Sequence, residues 1–194
     1  MGKTRLEAFS DGVLAIIITI MVLEIKVPHD PTPEALLALL PVFLSYLLSF
    51  VYVGIYWNNH HHMLHTCERV TGPILWANLH LLFWLSLLPW ATGWMGENHF
   101  AALPTAVYGV VLLVAALAYH LVQQTIMASQ GPHSLLKQAV GRDLKGKASP
   151  VLYLCGVGLT CVNPQLGQVM YVLVALMWLV PDRRIERAAG HGVS

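Results

Sequence analysis

The chain has 194 residues, of which 56% are apolar or aromatic (AVILMFWYC) and only 11% are charged, with a formal net charge of +1. A soluble domain carries about 25% charged residues, so too little charge is available to cover a water-facing surface, and lipid must cover much of it. The near-neutral balance excludes a nucleic-acid partner, which needs a basic face.

Six apolar segments follow in chain order: residues 5–27, 35–57, 73–95, 101–124, 150–162 and 164–180. About 20 residues at 1.5 Å each cross the hydrocarbon core. The first four reach that length; the last two need flanking residues, bilayer thinning or burial against neighbours. The expected fold is therefore an all-α integral membrane protein with six transmembrane helices. A six-helix transmembrane domain spans residues 1–182, a polar linker 129–149 lies between spans four and five, and a basic tail occupies 183–194. Lys3 and Arg5 before an apolar run imitate a signal peptide, but Asp11 heads the run and residues 24–33 are charged and proline-rich with no small-residue cleavage site.

Basic residues set the orientation, because cytoplasmic loops retain them. Lys3, Arg5, Arg69, Lys137, Arg142, Lys145, Lys147, Arg183, Arg184 and Arg187 fall on one side of a six-span chain and only Lys26 on the other. A multi-pass protein of the cell membrane with both termini cytoplasmic is expected. Trp57, Trp90, Trp94 and Trp178 lie near span ends, as interfacial anchors do.

The first segment is the least ordinary. Ser10 and Asp11 stand at its head, and below them the only polar side chain before Glu24 is Thr19. A carboxylate at the end of a span is either a functional group facing protein or water or a partner for the helix N-terminus. Ile16, Thr19, Ile20 and Leu23, at i, i+3, i+4 and i+7, share one face; taken alone, such a stripe fits lipid contact or packing. His60, His61, His62 and His65 cluster at the end of the second segment. His61 and His65 could both reach one zinc ion, but without a metalloprotease-type motif or a carboxylate pair no metal site is expected, and bonding to the polar head of the first segment is the favoured role. His80 and His120 are expected to be buried, neutral and bonded. Cys67, Cys155 and Cys161 have no CxxC spacing and read as apolar packers. With no nucleophile in a triad context, no phosphate-binding motif and no carbonyl-filter loop, neither an enzyme nor a cofactor is expected.

The run from Arg5 through Phe9-Ser10-Asp11 to Pro28, the block from Tyr56-Trp57-Asn58-Asn59 to His60-His61-His62, and the stretch from Asn78 to Glu97 together resemble the prokaryotic relatives of the endosomal and lysosomal potassium channel family. The resemblance implies a potassium-permeable channel of modest selectivity with no carbonyl filter, whose single-repeat chains assemble as homotetramers with the first helix lining a central pore. It implies that Ile16, Ile20 and Leu23 form hydrophobic constrictions and that Thr19 carries selectivity. It also implies that the motif residues Arg5, Phe9, Ser10 and Asp11 tie the first helix to the next two, with Trp57, His60, His61, His62 and Asn78 as candidate partners. Lipid, monovalent cations and other copies of the chain are the expected partners. A proton-coupled or proton-leak transporter is the alternative.

Overall fold

The computed structural model describes residues 2–131, 134, 136–137 and 143–179. Among these the secondary structure is entirely helical: α1 Lys3–Leu23, α2 Pro33–Ala38, α3 Leu40–His65, α4 Gly72–Ser86, α5 Leu88–Glu97, α6 Ala102–Gln130, α7 Leu144–Thr160 and α8 Pro164–Leu179. Four stretches are long and apolar enough to span a bilayer, namely α1, α3, α4 with α5, and α6. At 17 and 16 residues, α7 and α8 are about 25 Å long, short of a full crossing unless their ends are extended.

Proline sets most of the boundaries. Pro33, Pro41 and Pro73 occupy the first positions of α2, α3 and α4, where a missing N–H costs nothing. Residues 35–38, expected to begin the second span, form a separate short helix capped by the Thr32 hydroxyl, which accepts the Ala35 N–H. Pro89 divides the third span: α4 closes with a Leu87 N–H to Trp84 carbonyl bond, and α5 resumes one residue later, because a proline ring removes one ladder bond and crowds the preceding turn. The linker is shorter than the expected 129–149. Helix α6 runs through Gln130, and α7 starts at Leu144 because Asp143, in the left-handed region at φ 38°, caps it by accepting the Gly146 N–H at 3.0 Å. Pro150 therefore sits inside α7. The tail 183–194 lies outside the described residues.

Helix α6 is the central post, packed against α4, α5, α7 and α8, while α1 lies against α3, α4 and α5. Where α6, α7 and α8 meet, Tyr108, Tyr153 and Tyr171 form a buried aromatic cluster with Tyr52 of α3, ring centroids 5.9–6.4 Å apart. Gly109 makes this possible, since a Cβ there would collide with the Tyr171 hydroxyl; small residues permit such close helix approach in membranes. Three buried hydroxyls are paired across helices: Ser49 Oγ lies 2.7 Å from Thr92 Oγ1 and 3.0 Å from the Tyr108 hydroxyl. The Tyr171 hydroxyl makes no hydrogen bond among the described residues.

Polar contacts define the two ends of the bundle. At one, Lys3 Nζ donates to the His65 carbonyl and Gln130 Nε2 to the Thr66 carbonyl, both at 2.6 Å. A cation thus sits on the exposed carbonyls that end α3. At the other end Lys26 pairs with Glu97. The Trp178 indole N–H reaches Ser149 Oγ at 2.7 Å, joining the end of α8 to the start of α7.

Candidate functional site

Helix α1 has two faces of different character. Leu6, Ser10, Leu14, Ile17 and Met21, spaced by three or four residues, are buried against α3, α4 and α5. Arg5, Phe9, Ile16, Thr19, Ile20 and Leu23 lie round the other side and are exposed, Leu23 at 77% and Ile16 at 57%. The helix ends at Leu23 rather than Val27, with Pro28 shortly beyond.

The buried face is fixed by a polar chain. Asn78 of α4 donates from Nδ2 to Ser10 Oγ at 3.0 Å, and its Oδ1 lies 2.6 Å from His60 Nε2 on α3. Ser10 in turn donates to the Leu6 carbonyl at 2.9 Å. All three side chains are buried. In a low-dielectric interior an unmade bond is expensive, so the chain favours a single rotation of α1 against its neighbours. Asp11, half-buried at the edge of the same face, accepts the Trp57 indole N–H at 3.0 Å. His61 stacks on Trp57, with centroids 6.4 Å apart at 30°, and meets His62 and His65 edge-on. His61 makes no hydrogen bond to Ser10 or Asp11 among the described residues.

His80 is exposed, contrary to the sequence expectation, and stands edge-on to Trp84. Two residues beyond Asn78, it is turned about 200° round α4 from the buried face. His120 is half-buried and bonded to Gln124 at 3.1 Å. Neither Lys3 as a cap for α3 nor the Ser49–Thr92–Tyr108 group was anticipated from the sequence. Three hydroxyl residues inside apolar spans were the available signal.

On the exposed face, the Thr19 hydroxyl donates into its own helix, to the carbonyls of Ile16 at 2.9 Å and Ala15 at 3.2 Å. Its hydrogen is thereby directed at the backbone, and its oxygen lone pairs remain available on the outer side.

Residues 5–89 match the family described as endosomal/lysosomal potassium channel TMEM175. A potassium channel of Chryseobacterium sp. is 53% identical over 188 residues, 97% of this chain and 98% of that protein. The chain belongs to the TMEM175 potassium channel family. The fold agrees: a crystal structure of a lysosomal potassium-selective channel TMEM175 homolog from Chamaesiphon minutus superposes with a TM-score of 0.79 at 28% identity, over 93% of this chain and 97% of that one. The mouse endosomal/lysosomal proton channel TMEM175 is 35% identical over 103 residues, 47% of this chain and 21% of that much longer protein. TMEM175 proteins are ion channels, and the matched stretch 5–89 includes α1 and the Ser10–Asn78–His60 chain.

Proposed function

We propose that this chain forms a potassium-permeable channel in the cell membrane, as a homotetramer in which the exposed face of α1 surrounds the conduction path. The observation that carries this reading is the asymmetry of α1. One face is tied to α3 and α4 by buried polar bonds, and the opposite face leaves Ile16, Thr19, Ile20 and Leu23 exposed. A helix that only met lipid would gain little from so specific a rotational lock; a helix that must aim a stripe at an axis needs one.

In this reading the chain crosses the bilayer six times, with α7 and α8 completing the last two spans, and both termini are cytoplasmic. Lys3, Arg5, Arg69, Lys145 and Lys147 then share one side, while Lys26 is paired with Glu97 on the other. Ile16, Ile20 and Leu23 from four copies form apolar constrictions that dewet when narrow and conduct when wider. Four Thr19 hydroxyls, with their hydrogens turned back onto the helix, offer oxygen to a passing cation. Without a carbonyl ring to replace its hydration shell, K⁺ is preferred over Na⁺ only modestly. Arg5, Phe9, Ser10 and Asp11, with Trp57, His60, His61, His62 and Asn78, orient α1 and do not touch the ion. No cofactor takes part, and K⁺ is the permeant ion.

Proteoliposomes loaded with K⁺ test the reading. A membrane voltage that tracks the potassium gradient on reconstitution supports it, and an electrically silent membrane refutes it. Proton conduction is the second reading, favoured by the proton-channel name of the mouse relative; flux that follows the pH gradient and ignores the potassium gradient would establish it.

A further inference from the structure

Away from α1, a cleft opens between α3, α6 and the start of α7 at the Lys3 end of the bundle, with Trp178 of α8 at its side. The wall of this chamber includes the aromatic faces of Tyr56, Tyr119 and Tyr153 and three side chains with carbonyl or carboxylate oxygens, Asn59, Gln123 and Asp143, beside Ser149 and His120. Among the described residues no lysine or arginine lines this chamber; Lys137 and Lys147 line a wider vestibule that shares His120, Gln123 and Asp143 with it.

The three polar side chains are incompletely used. Gln123 is only 4% exposed, yet its amide makes no hydrogen bond among the described residues, and its polar atoms are not sealed off from the cleft. Asn59, 8% exposed, donates from Nδ2 to the Ile55 carbonyl at 2.8 Å, which leaves Oδ1 as an open acceptor. Asp143 accepts the Gly146 N–H through Oδ1 at 3.0 Å; its second oxygen makes no hydrogen bond and the carboxylate no ion pair among the described residues. Buried amides without partners are costly. Among the described residues the chamber offers acceptor oxygens without partners, one negative charge and aromatic faces, a combination suited to a cation with N–H donors and an apolar body.

We infer that this cleft is a binding site for a small primary ammonium compound, its –NH3⁺ group held by Asp143, Gln123 and Asn59 and its apolar body lying against the tyrosines. The site is built within one protomer and shares no residue with the exposed face of α1.

Saturation-transfer NMR on the full chain in deuterated detergent micelles tests this, with benzylammonium as the probe and benzyl alcohol as its uncharged counterpart. Saturable transfer to benzylammonium is expected, weakened about tenfold by Asp143→Asn and by Gln123→Leu, the loss that follows removal of one charge-assisted hydrogen bond. Asparagine still caps α7 and tolerates the left-handed backbone, and leucine packs where glutamine did, so both variants keep the fold. Thr19→Val is expected to leave binding unchanged. Transfer that does not saturate, that is as strong for benzyl alcohol, that survives Asp143→Asn, or that disappears in Thr19→Val overturns the inference, the last by placing the amine in the pore.

Discussion

Asn78 donates to Ser10 Oγ at 3.0 Å while its carbonyl oxygen meets His60 Nε2 at 2.6 Å, so one buried amide joins three helices and fixes which face of α1 turns outward. Replacing it with leucine removes both bonds, strips His60 Nε2 of this partner and leaves the Ser10 hydroxyl only its bond to the Leu6 carbonyl. A loss of roughly 2–4 kcal/mol is expected, about 1–2 for each bond, read as a lower melting temperature and less assembled oligomer in detergent. Unchanged melting would mean that α1 is held by its apolar face alone.

Thr19→Val keeps the shape of the side chain and removes only the oxygen. If the hydroxyl ring contributes about 0.5–1 kcal/mol to the choice between ions, the potassium-to-sodium permeability ratio should fall roughly two- to fivefold with a smaller change in conductance, and Thr19→Ser should retain most of it. Bi-ionic reversal potentials measure this. A ratio that is the same in Thr19→Val removes the hydroxyl from selectivity.

An apolar constriction resists water as long as its lining is apolar. Ile16→Asn and Leu23→Asn should therefore raise basal leak in proteoliposome flux assays. Leak equal to that of the unmodified chain would place these side chains against lipid.

Tyr171 and Gly109 supply a control outside the pore. A methyl at Gly109 would meet the Tyr171 hydroxyl, so Gly109→Ala should destabilise by about 1–3 kcal/mol. Tyr171→Phe deletes a buried hydroxyl that has no partner among the described residues and should be neutral or stabilising by about 1 kcal/mol. The double variant should recover part of the Gly109→Ala loss; thermal unfolding of all three checks this.

The Lys26–Glu97 pair gives a pH dependence with a definite sign. The Glu97 carboxylate, first as hydrogen-bond acceptor and then as negative charge, raises the Lys26 pKa above the ordinary lysine value. Stability from a raised lysine is fully present below the unfolded-state pKa and disappears as pH climbs through the folded one. The small difference in melting temperature between the unmodified chain and Lys26→Gln should thus persist from pH 7 to 9 and vanish only in strongly alkaline solution. The pair is exposed, so salt should shrink the difference as well.

Much of this was legible in the sequence for identifiable reasons. Length and hydropathy mark α1, α3 and α6 because a membrane core demands long apolar helices, and the spacing of Ile16, Thr19, Ile20 and Leu23 places them on one face before any neighbour is known. Pairings between distant residues were not legible. That Asn78, and not one of the four clustered histidines, bonds Ser10 depends on how α4 is rotated, which local periodicity does not encode when nearly every neighbour is apolar. His80 was misjudged for the same reason. The start of α7 at Asp143 was hidden because Pro150 looks like a helix start, whereas the cap lies seven residues earlier in a polar stretch.

The most direct test of the pore is thiol accessibility along α1. With Cys67, Cys155 and Cys161 replaced by alanine, Ile16→Cys, Ile20→Cys and Leu23→Cys channels in planar bilayers should lose potassium current on exposure to a charged thiol reagent. Leu44→Cys, on α3 and comparably exposed to Ile20, should not. Currents untouched at all three α1 positions, or reduced equally at Leu44, would contradict a conduction path lined by α1.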